Sequence, residues 1–155
     1  MNRVAHPIEV ESYRILRSRV DTAGLSPLTR AVVERIVHTT ADPTWVGDVR
    51  TTESALSAGR AALLAGAPLV TDVSMVAAGI TSRDCVVGLR LPGAAELAAE
   101  VAAELAVGER ANGLTRSAAG IRLAARHHRD GAVWVIGNAP TALAELVRLT
   151  RSGEV

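Results

Sequence analysis

His38 is the residue of this sequence best placed for acid–base chemistry. It stands near the C-terminal end of a predicted helix, where the helix dipole favours a protonated imidazole. Because histidine ordinarily titrates close to neutral pH, such a residue can act as a proton donor. A histidine that merely caps the helix C-terminus explains the same position, and from the residues alone we favour that alternative.

Three further positions combine hydrogen-bonding groups with a predicted turn or helix start. Arg116 opens a predicted helix, where its guanidinium and the free backbone N–H groups would suit a carboxylate; a cap beside a solvated arginine is a common alternative. Asn138 offers a donor and an acceptor next to a helix start, or is simply a turn residue and N-cap. Asp72 either accepts a hydrogen bond from a substrate or holds a loop.

The sequence lacks the patterns of several common sites. Cys85 is its single cysteine, and the adjacent His127 and His128 point to different sides of a helix, so no metal site is predicted. The glycines do not follow the dinucleotide-binding spacing, and without lysine no phosphate-binding Gly-Lys-Ser/Thr motif exists. No Gly-x-Ser-x-Gly nucleophile motif occurs. We therefore expect neither a metal nor a nucleotide cofactor.

Composition narrows the class of protein. The 155 residues carry a net charge of +1, which does not favour nucleic acid as a partner. Hydrophobic residues make up 48% of the chain but aromatics only 2%, so the core must be built from Ala, Val, Leu and Ile. No signal peptide or membrane-spanning run is visible. We expect a cytoplasmic protein without a membrane partner.

The hydrophobic periodicity predicts helices alternating with short strands. Ser26 is expected to cap the helix that contains His38, and Asp42-Pro43 to end it. The predicted helices cover residues 10–20, 27–41, 53–65, 92–107, 115–128 and 140–151. The predicted strands cover residues 68–73, 85–89 and 132–136.

This alternation predicts an α/β fold: a Rossmann-like, mainly parallel sheet of three visible strands with helices on both faces, in a single domain of residues 1–155. Ligands of such sheets bind outside the carboxyl ends of the strands. Residues 71–75 and 137–141 lie at those ends by this prediction. Asp72 and Asn138 lie in these two segments, where they could meet a ligand.

Five segments stand out along the chain: residues 8–15, 36–43, 65–80, 115–120 and 132–143. Together they resemble the precorrin-8X methylmutase (precorrin isomerase) family. They occur in the family's order and span nearly the whole chain. The last three, AGAPLVTDVSMVAAGI, TRSAAG and AVWVIGNAPTAL, are the specific ones.

The resemblance implies an isomerase of cobalamin biosynthesis. The family moves a methyl group on the corrinoid macrocycle from one carbon of ring C to its neighbour, without an organic cofactor. The substrate is precorrin-8X or its cobalt form, and the product is hydrogenobyrinate or cobyrinate. Family members are Rossmann-like homodimers with the active site near the subunit interface.

The resemblance also assigns residues. His38 matches the family's catalytic histidine, which is thought to protonate or hydrogen-bond the ring C region. Ser12 and Arg116 match residues that line the substrate, and Thr71, Asp72 and Asn138 match pocket loops. In this context the catalytic interpretation of His38 outweighs the capping one.

The family ordinarily continues past the last predicted helix with further strands, Gly-rich loops and another helix. We therefore expect a chain that is short at its C-terminus relative to the family. A non-catalytic corrinoid- or tetrapyrrole-binding homologue is the alternative function. An unrelated small α/β ligand-binding domain is a third.

Overall fold

The computed structural model describes residues 6–105, 114–129 and 131–155, and its backbone divides into two compact units. The N-terminal unit is Met1–Ala61 and the C-terminal unit is Ala62–Val155. Within the described ranges, no helix combines the length and the apolar character needed to cross a bilayer. The single domain expected from the chain length stays a prediction.

The described part of the N-terminal unit is helical. Leu16 of the first helix packs with Val33 and Val37 of the second to form a small buried core. The first helix begins earlier than predicted, because Nδ1 of His6 accepts the backbone N–H of Ile8 and caps it. The helices are α1 (Pro7–Arg19), α2 (Pro27–Thr40), α3 (Trp45–Asp48) and α4 (Glu53–Leu64), of which the last runs into the C-terminal unit.

The N-terminus of α2 is capped by a residue distant in sequence. Ser26 occupies the predicted N-cap position, but among the described residues its hydroxyl accepts no N–H from this helix. The Glu53 carboxylate accepts the backbone N–H groups of Leu28 at 2.8 Å and Thr29 at 3.0 Å instead. These bonds lower the pKa of Glu53. The negative charge of the carboxylate is also stabilised at this end of the helix, because the helix dipole is positive there.

A buried carboxylate links α1 to α2. Glu34 is 2% exposed and accepts hydrogen bonds from Arg17 at 2.7 Å, Arg30 at 2.8 Å and Thr22 at 2.7 Å. The Arg17 bond, with those from Arg30 and Thr22, outweighs burial and lowers the pKa of Glu34 to about 2. A buried charge is tolerated when donors surround it in this way.

The C-terminal unit contains the predicted parallel sheet. The described residues form three strands in the order β2-β1-β3, and both pairings are parallel. Val70 of the central strand lies opposite Val86 on one side and Trp134 on the other. The α/β class and the strand positions are therefore confirmed. The strands are β1 (Leu69–Thr71), β2 (Val86–Val87) and β3 (Val133–Val135).

The helices of this unit follow the prediction with two additions. A short helix follows β1. The last two residues of the predicted second strand, 88–89, belong instead to a 3-10 turn, Gly88–Arg90. The long helix Arg116–His127 contributes Ile121, Ala124 and Ala125 to a core with Val70 and Leu149. The helices are α5 (Ser74–Ala78), α6 (Ala94–Leu105), α7 (Arg116–His127) and α8 (Pro140–Arg151).

Two glycines allow α7 to approach the 3-10 turn closely. A Cβ atom on Gly120 would lie 2.4 Å from the carbonyl carbon and oxygen of Gly88. A Cβ on Gly88 would in turn lie 3.1 Å from the carbonyl carbon of Gly120. Backbone meets backbone here, and no rotamer change could make room. The small residues of this sequence thus set the distance between the helix and the turn.

Gly120→Ala should lower the free energy of unfolding by about 1–3 kcal/mol, because the added methyl overpacks a backbone contact. Gly59→Ala is the matched control: Gly59 lies inside α4, and its Cβ would meet nothing within 4 Å. The control should raise stability by up to about 1 kcal/mol, since alanine is the better helix former. Urea denaturation followed by circular dichroism measures both; equal effects would contradict the prediction.

The depressed pKa of Glu34 predicts an acid-dependent stability. Its stabilising contribution is fully present above the ordinary value of 4.5 and is lost as the pH falls through about 2. Glu34→Gln should therefore cost about 2 kcal/mol near neutral pH and little at pH 2. Urea denaturation in a Trp134→Phe background leaves Trp45 as the reporter in the N-terminal unit. Glu11→Gln, at an exposed ion pair, is the control; a constant difference between wild type and Glu34→Gln across this pH range would refute the prediction.

Candidate active site

The last turn of α2 presents His38 to the N-terminal half of α1. The Ser12 hydroxyl lies 3.0 Å from Nδ1 of His38, and both side chains are partly buried. The ring of Tyr13 is stacked on the imidazole, with 4.8 Å between centroids and 11° between planes. Ser12 and His38 had been predicted as site residues from different parts of the sequence, and the structure brings them together.

The Ser12 contact determines which imidazole nitrogen can exchange a proton. Nδ1 is engaged with the Ser12 hydroxyl in either protonation state, as an acceptor when neutral or as a donor when charged. Nε2 is then the nitrogen available to a ligand. His38 also lies in the last turn of α2, where the helix dipole favours a cation. The arrangement is suited to giving a proton to a bound group and taking it back.

A cavity of about 220 Å³ adjoins the imidazole within the N-terminal unit. Its wall is mainly apolar and includes Leu16, Val20 and Val37, while Arg19 and His38 are among its polar groups. Among the described residues, no carboxylate lies within ion-pair distance of Arg19. The cavity therefore offers an apolar surface, one proton-transfer group and one cation to the same ligand.

Asp72 follows β1 in the C-terminal unit and is completely buried. One carboxylate oxygen accepts the N–H of Asn138 at 2.9 Å and Ala139 at 2.8 Å, and the other accepts those of Val73 at 2.9 Å and Gly137 at 3.4 Å. Burial raises the pKa of Asp72, but the backbone donors, led by Ala139, outweigh it and lower the pKa overall. These contacts fit the loop-holding alternative for Asp72.

Thr71 and Asn138 flank this carboxylate. Thr71 is also completely buried, and its hydroxyl donates to the carbonyl of Val73 at 3.4 Å. The side chain of Asn138 is exposed, and the residue at the N-cap of α8 is Ala139 rather than Asn138. The Asp72 carboxylate supplies the capping acceptor that the sequence had suggested for Asn138.

Arg116 is the first residue of α7, and its side chain is exposed. The preceding Thr115 caps the helix, accepting the N–H of Ala118 at 3.2 Å, and its hydroxyl lies 2.7 Å from that of Thr141 in α8. Within the part of the chain that the structure describes, no carboxylate pairs with Arg116. The N-terminal ends of α7 and α8 are thereby joined beside an available guanidinium.

The structure adds residues that the sequence did not single out. Arg19 and Ser12 are seven residues apart on α1, a spacing that places both on one helix face and could have signalled a shared cavity. Tyr13 gave no comparable signal, because the imidazole on which it is stacked lies on another helix. Glu34 pairs with Arg30 four residues before it on α2, but nothing local indicated its bond to Arg17 of α1. Across the described ranges, no group of three or more His, Cys, Asp or Glu side chains is arranged to hold a metal ion.

Comparison with known proteins identifies the family. A family model described as precorrin-8X methylmutase matches residues 7–155. The chain is 35% identical to a cobalt-precorrin-8 methylmutase of Methanothermobacter thermautotrophicus, covering 96% of this chain and 66% of the relative. It is also 35% identical to a precorrin-8X methylmutase of Pseudomonas aeruginosa, covering 92% and 66%. The chain thus spans just under two thirds of the length of these curated relatives.

Solved structures agree with the sequence comparison. The crystal structure of a precorrin-8X methylmutase from Thermus thermophilus superposes with a TM-score of 0.73 at 32% identity, covering 94% of this chain and 68% of that one. A precorrin-8X methylmutase-related protein gives a TM-score of 0.72 at 34% identity, covering 92% and 72%. With the family model matched over almost all its residues, this chain belongs to the precorrin-8X methylmutase family.

Proposed function

We propose that this chain is a methylmutase acting on a corrinoid ring, in the biosynthesis of cobalamin. It moves a methyl group between neighbouring carbons of ring C, converting precorrin-8X or its cobalt form to hydrogenobyrinate or cobyrinate. The observation that carries the proposal is the His38 imidazole, held by Ser12 beside an apolar cavity, in a member of this family.

His38 is the acid in this mechanism. With Nδ1 engaged by Ser12, Nε2 donates a proton or a hydrogen bond to the ring C region and so draws electron density toward it. The methyl group then migrates within the same molecule. The proton returns to Nε2 when the product forms. No other reactant is required, which agrees with an isomerisation.

The apolar cavity receives one edge of the macrocycle. Its volume of about 220 Å³ is below the roughly 300–1,000 Å³ of pockets that enclose a drug-sized ligand. A corrinoid is larger still, so we expect most of the ring to lie outside this cavity. Contact with Leu16, Val20 and Val37 would stabilise the complex by burying apolar surface.

Arginines are suited to the carboxylates at the edge of the ring. Arg19 lies in the wall of the His38 cavity, and Arg116 is exposed at the N-terminus of α7, where the helix dipole also favours an anion. We assign substrate contacts to Ser12, Arg116 and the exposed Asn138. Thr71 and Asp72 are buried, and we assign them the role of holding the loops that follow β1 and β3.

We further propose that the chain forms a homodimer, as the family resemblance implies, and that it acts in the cytoplasm, as expected from its composition. The net charge of +1 does not favour nucleic acid as a partner. The substrate is the cobalt-free or the cobalt-containing ring. Both share the ring edge and carboxylates on which the proposed contacts depend.

His38→Ala should reduce kcat by about 10²- to 10⁴-fold, because it removes the proton donor, and should change corrinoid affinity less than threefold. The assay follows conversion of precorrin-8X, and separately of its cobalt form, by absorbance spectroscopy. Binding of hydrogenobyrinate is titrated in parallel. His127→Ala is the control, since His127 is exposed at the end of α7 and should leave kcat unchanged.

The same experiment separates the alternatives. A wild-type chain that binds hydrogenobyrinate but converts neither substrate is a corrinoid-binding module, and the methylmutase proposal fails. Absence of binding as well as turnover removes the corrinoid from the proposal altogether. Turnover that survives His38→Ala retains the activity but overturns the role of His38.

Asp72→Asn tests the loop-holding role. Asparagine has one acceptor oxygen facing four backbone N–H groups, so we expect a loss of about 2–4 kcal/mol in unfolding free energy. Hydrogen exchange at the amides of Asn138 and Ala139 should accelerate with it. Asp84→Asn, at an exposed position in the same unit, should change stability by less than about 0.5 kcal/mol. A stable Asp72→Asn protein with a raised KM would instead indicate a substrate contact.

A further inference from the structure

Two pairs of residues with the same spacing face each other across the antiparallel helices α1 and α2. Tyr13 and Arg17 are four residues apart on α1, and Glu34 and His38 are four apart on α2. Tyr13 contacts His38, whereas Arg17 contacts Glu34. Since residues four apart lie on one helix face, the two contacts lie one helical turn apart in a single interface.

The imidazole is constrained in two independent ways. The Ser12 hydroxyl, 3.0 Å from Nδ1, fixes the direction of one ring nitrogen. A single hydrogen bond still allows the ring to rock about the bond axis. The parallel ring of Tyr13, at 4.8 Å and 11°, restricts that motion because tilting the imidazole would bring its atoms into the phenol ring.

Tyr13 is itself restrained by Arg17, one turn further along α1. The Arg17 guanidinium lies 5.7 Å from the centre of the Tyr13 ring, within the range of a cation–π contact. Arg17 is fixed by the Glu34 carboxylate, to which its Nη2 donates at 2.7 Å and its Nε at 3.1 Å. Glu34 is buried and is also bound by Thr22 and Arg30. The series of contacts therefore ends in a rigid, buried anchor.

We propose that Tyr13 is a positioning residue for His38: its ring face sets the plane of the imidazole so that Nε2 meets the substrate at a defined angle. The inference rests on the proposed methylmutase activity for its kinetic consequence. The ring face performs this role, and the Tyr13 hydroxyl does not. Displacing a catalytic group by about 1 Å lowers the reaction rate on the order of a hundredfold.

The kinetic test compares two substitutions at Tyr13. Tyr13→Leu removes the flat face and should lower kcat about tenfold to a hundredfold, while KM for precorrin-8X changes less than threefold. Tyr13→Phe keeps the face and should retain kcat within threefold. Val33→Ala is the control for lost packing, since Val33 is 2% exposed in the same helix pair. It should lower the melting temperature and keep kcat below that temperature.

A spectroscopic test needs no turnover. In the ¹H–¹³C spectrum of the wild-type protein, the imidazole signals of His38, identified by their loss in His38→Ala, should lie upfield of those of His127, because a proton over an aromatic face is shielded. Tyr13→Phe should keep that shift and Tyr13→Leu should abolish it. This measurement decides the stacking even for a variant of reduced stability, and even for a chain without methylmutase activity.

Three results would overturn the proposal. The first is a Tyr13→Leu protein with kcat within threefold of wild type. The second is a Tyr13→Phe protein that loses as much activity as Tyr13→Leu, which would assign the role to the hydroxyl. The third is an unshifted His38 signal in the wild-type protein. A wild-type chain that fails to convert precorrin-8X contradicts the proposed function instead, and the spectrum then decides the role of Tyr13 alone.

Discussion

A buried carboxylate must be surrounded by donors, and the arrangement of α1 and α2 follows from that requirement at Glu34. Its donors come from α1, from the loop after α1 and from the preceding turn of α2. A small apolar core next to it could tolerate several helix registers. A carboxylate with three directional partners tolerates one, since any slip would leave a buried charge unpaired. The register that satisfies Glu34 is the one that places Tyr13 and Ser12 against His38.

The C-terminal unit solves a similar problem with Asp72. Here the donors are backbone N–H groups, and four of them converge on one carboxylate after β1. The backbone of Asp72 also bonds to Val135 in β3 and Leu89 in the 3-10 turn. One residue therefore ties the carboxyl ends of all three strands to the start of α8. In each unit, a buried carboxylate holds the polar groups around it.

Features that depend on nearby residues were predictable from the sequence. Short β-branched runs located β1 and β3, and Thr115 was expected at the start of α7, where it accepts the N–H of Ala118. Features that depend on distant residues were not. The capping of α2 by Glu53 and the contact of Gly120 with Gly88 join positions more than twenty residues apart, and nothing local distinguishes these residues from neighbours of the same type. The assignment of His38 itself came from family resemblance, because its spacing alone favoured a cap.

The two contacts between α1 and α2, Tyr13 with His38 and Arg17 with Glu34, join distant residues but follow a local spacing. Once two helices are joined by a short loop and run antiparallel, a four-residue spacing on one can match a four-residue spacing on the other. Among the possible matches, Arg17 opposite Glu34 stands out because the two side chains carry opposite charges. The helix register that pairs them also places Tyr13 beside His38. The buried ion pair is thus informative about the histidine proposed as the acid, although it touches neither the imidazole nor the cavity. Its contribution is geometric: a stable charge pair one turn away fixes the position from which the imidazole can act.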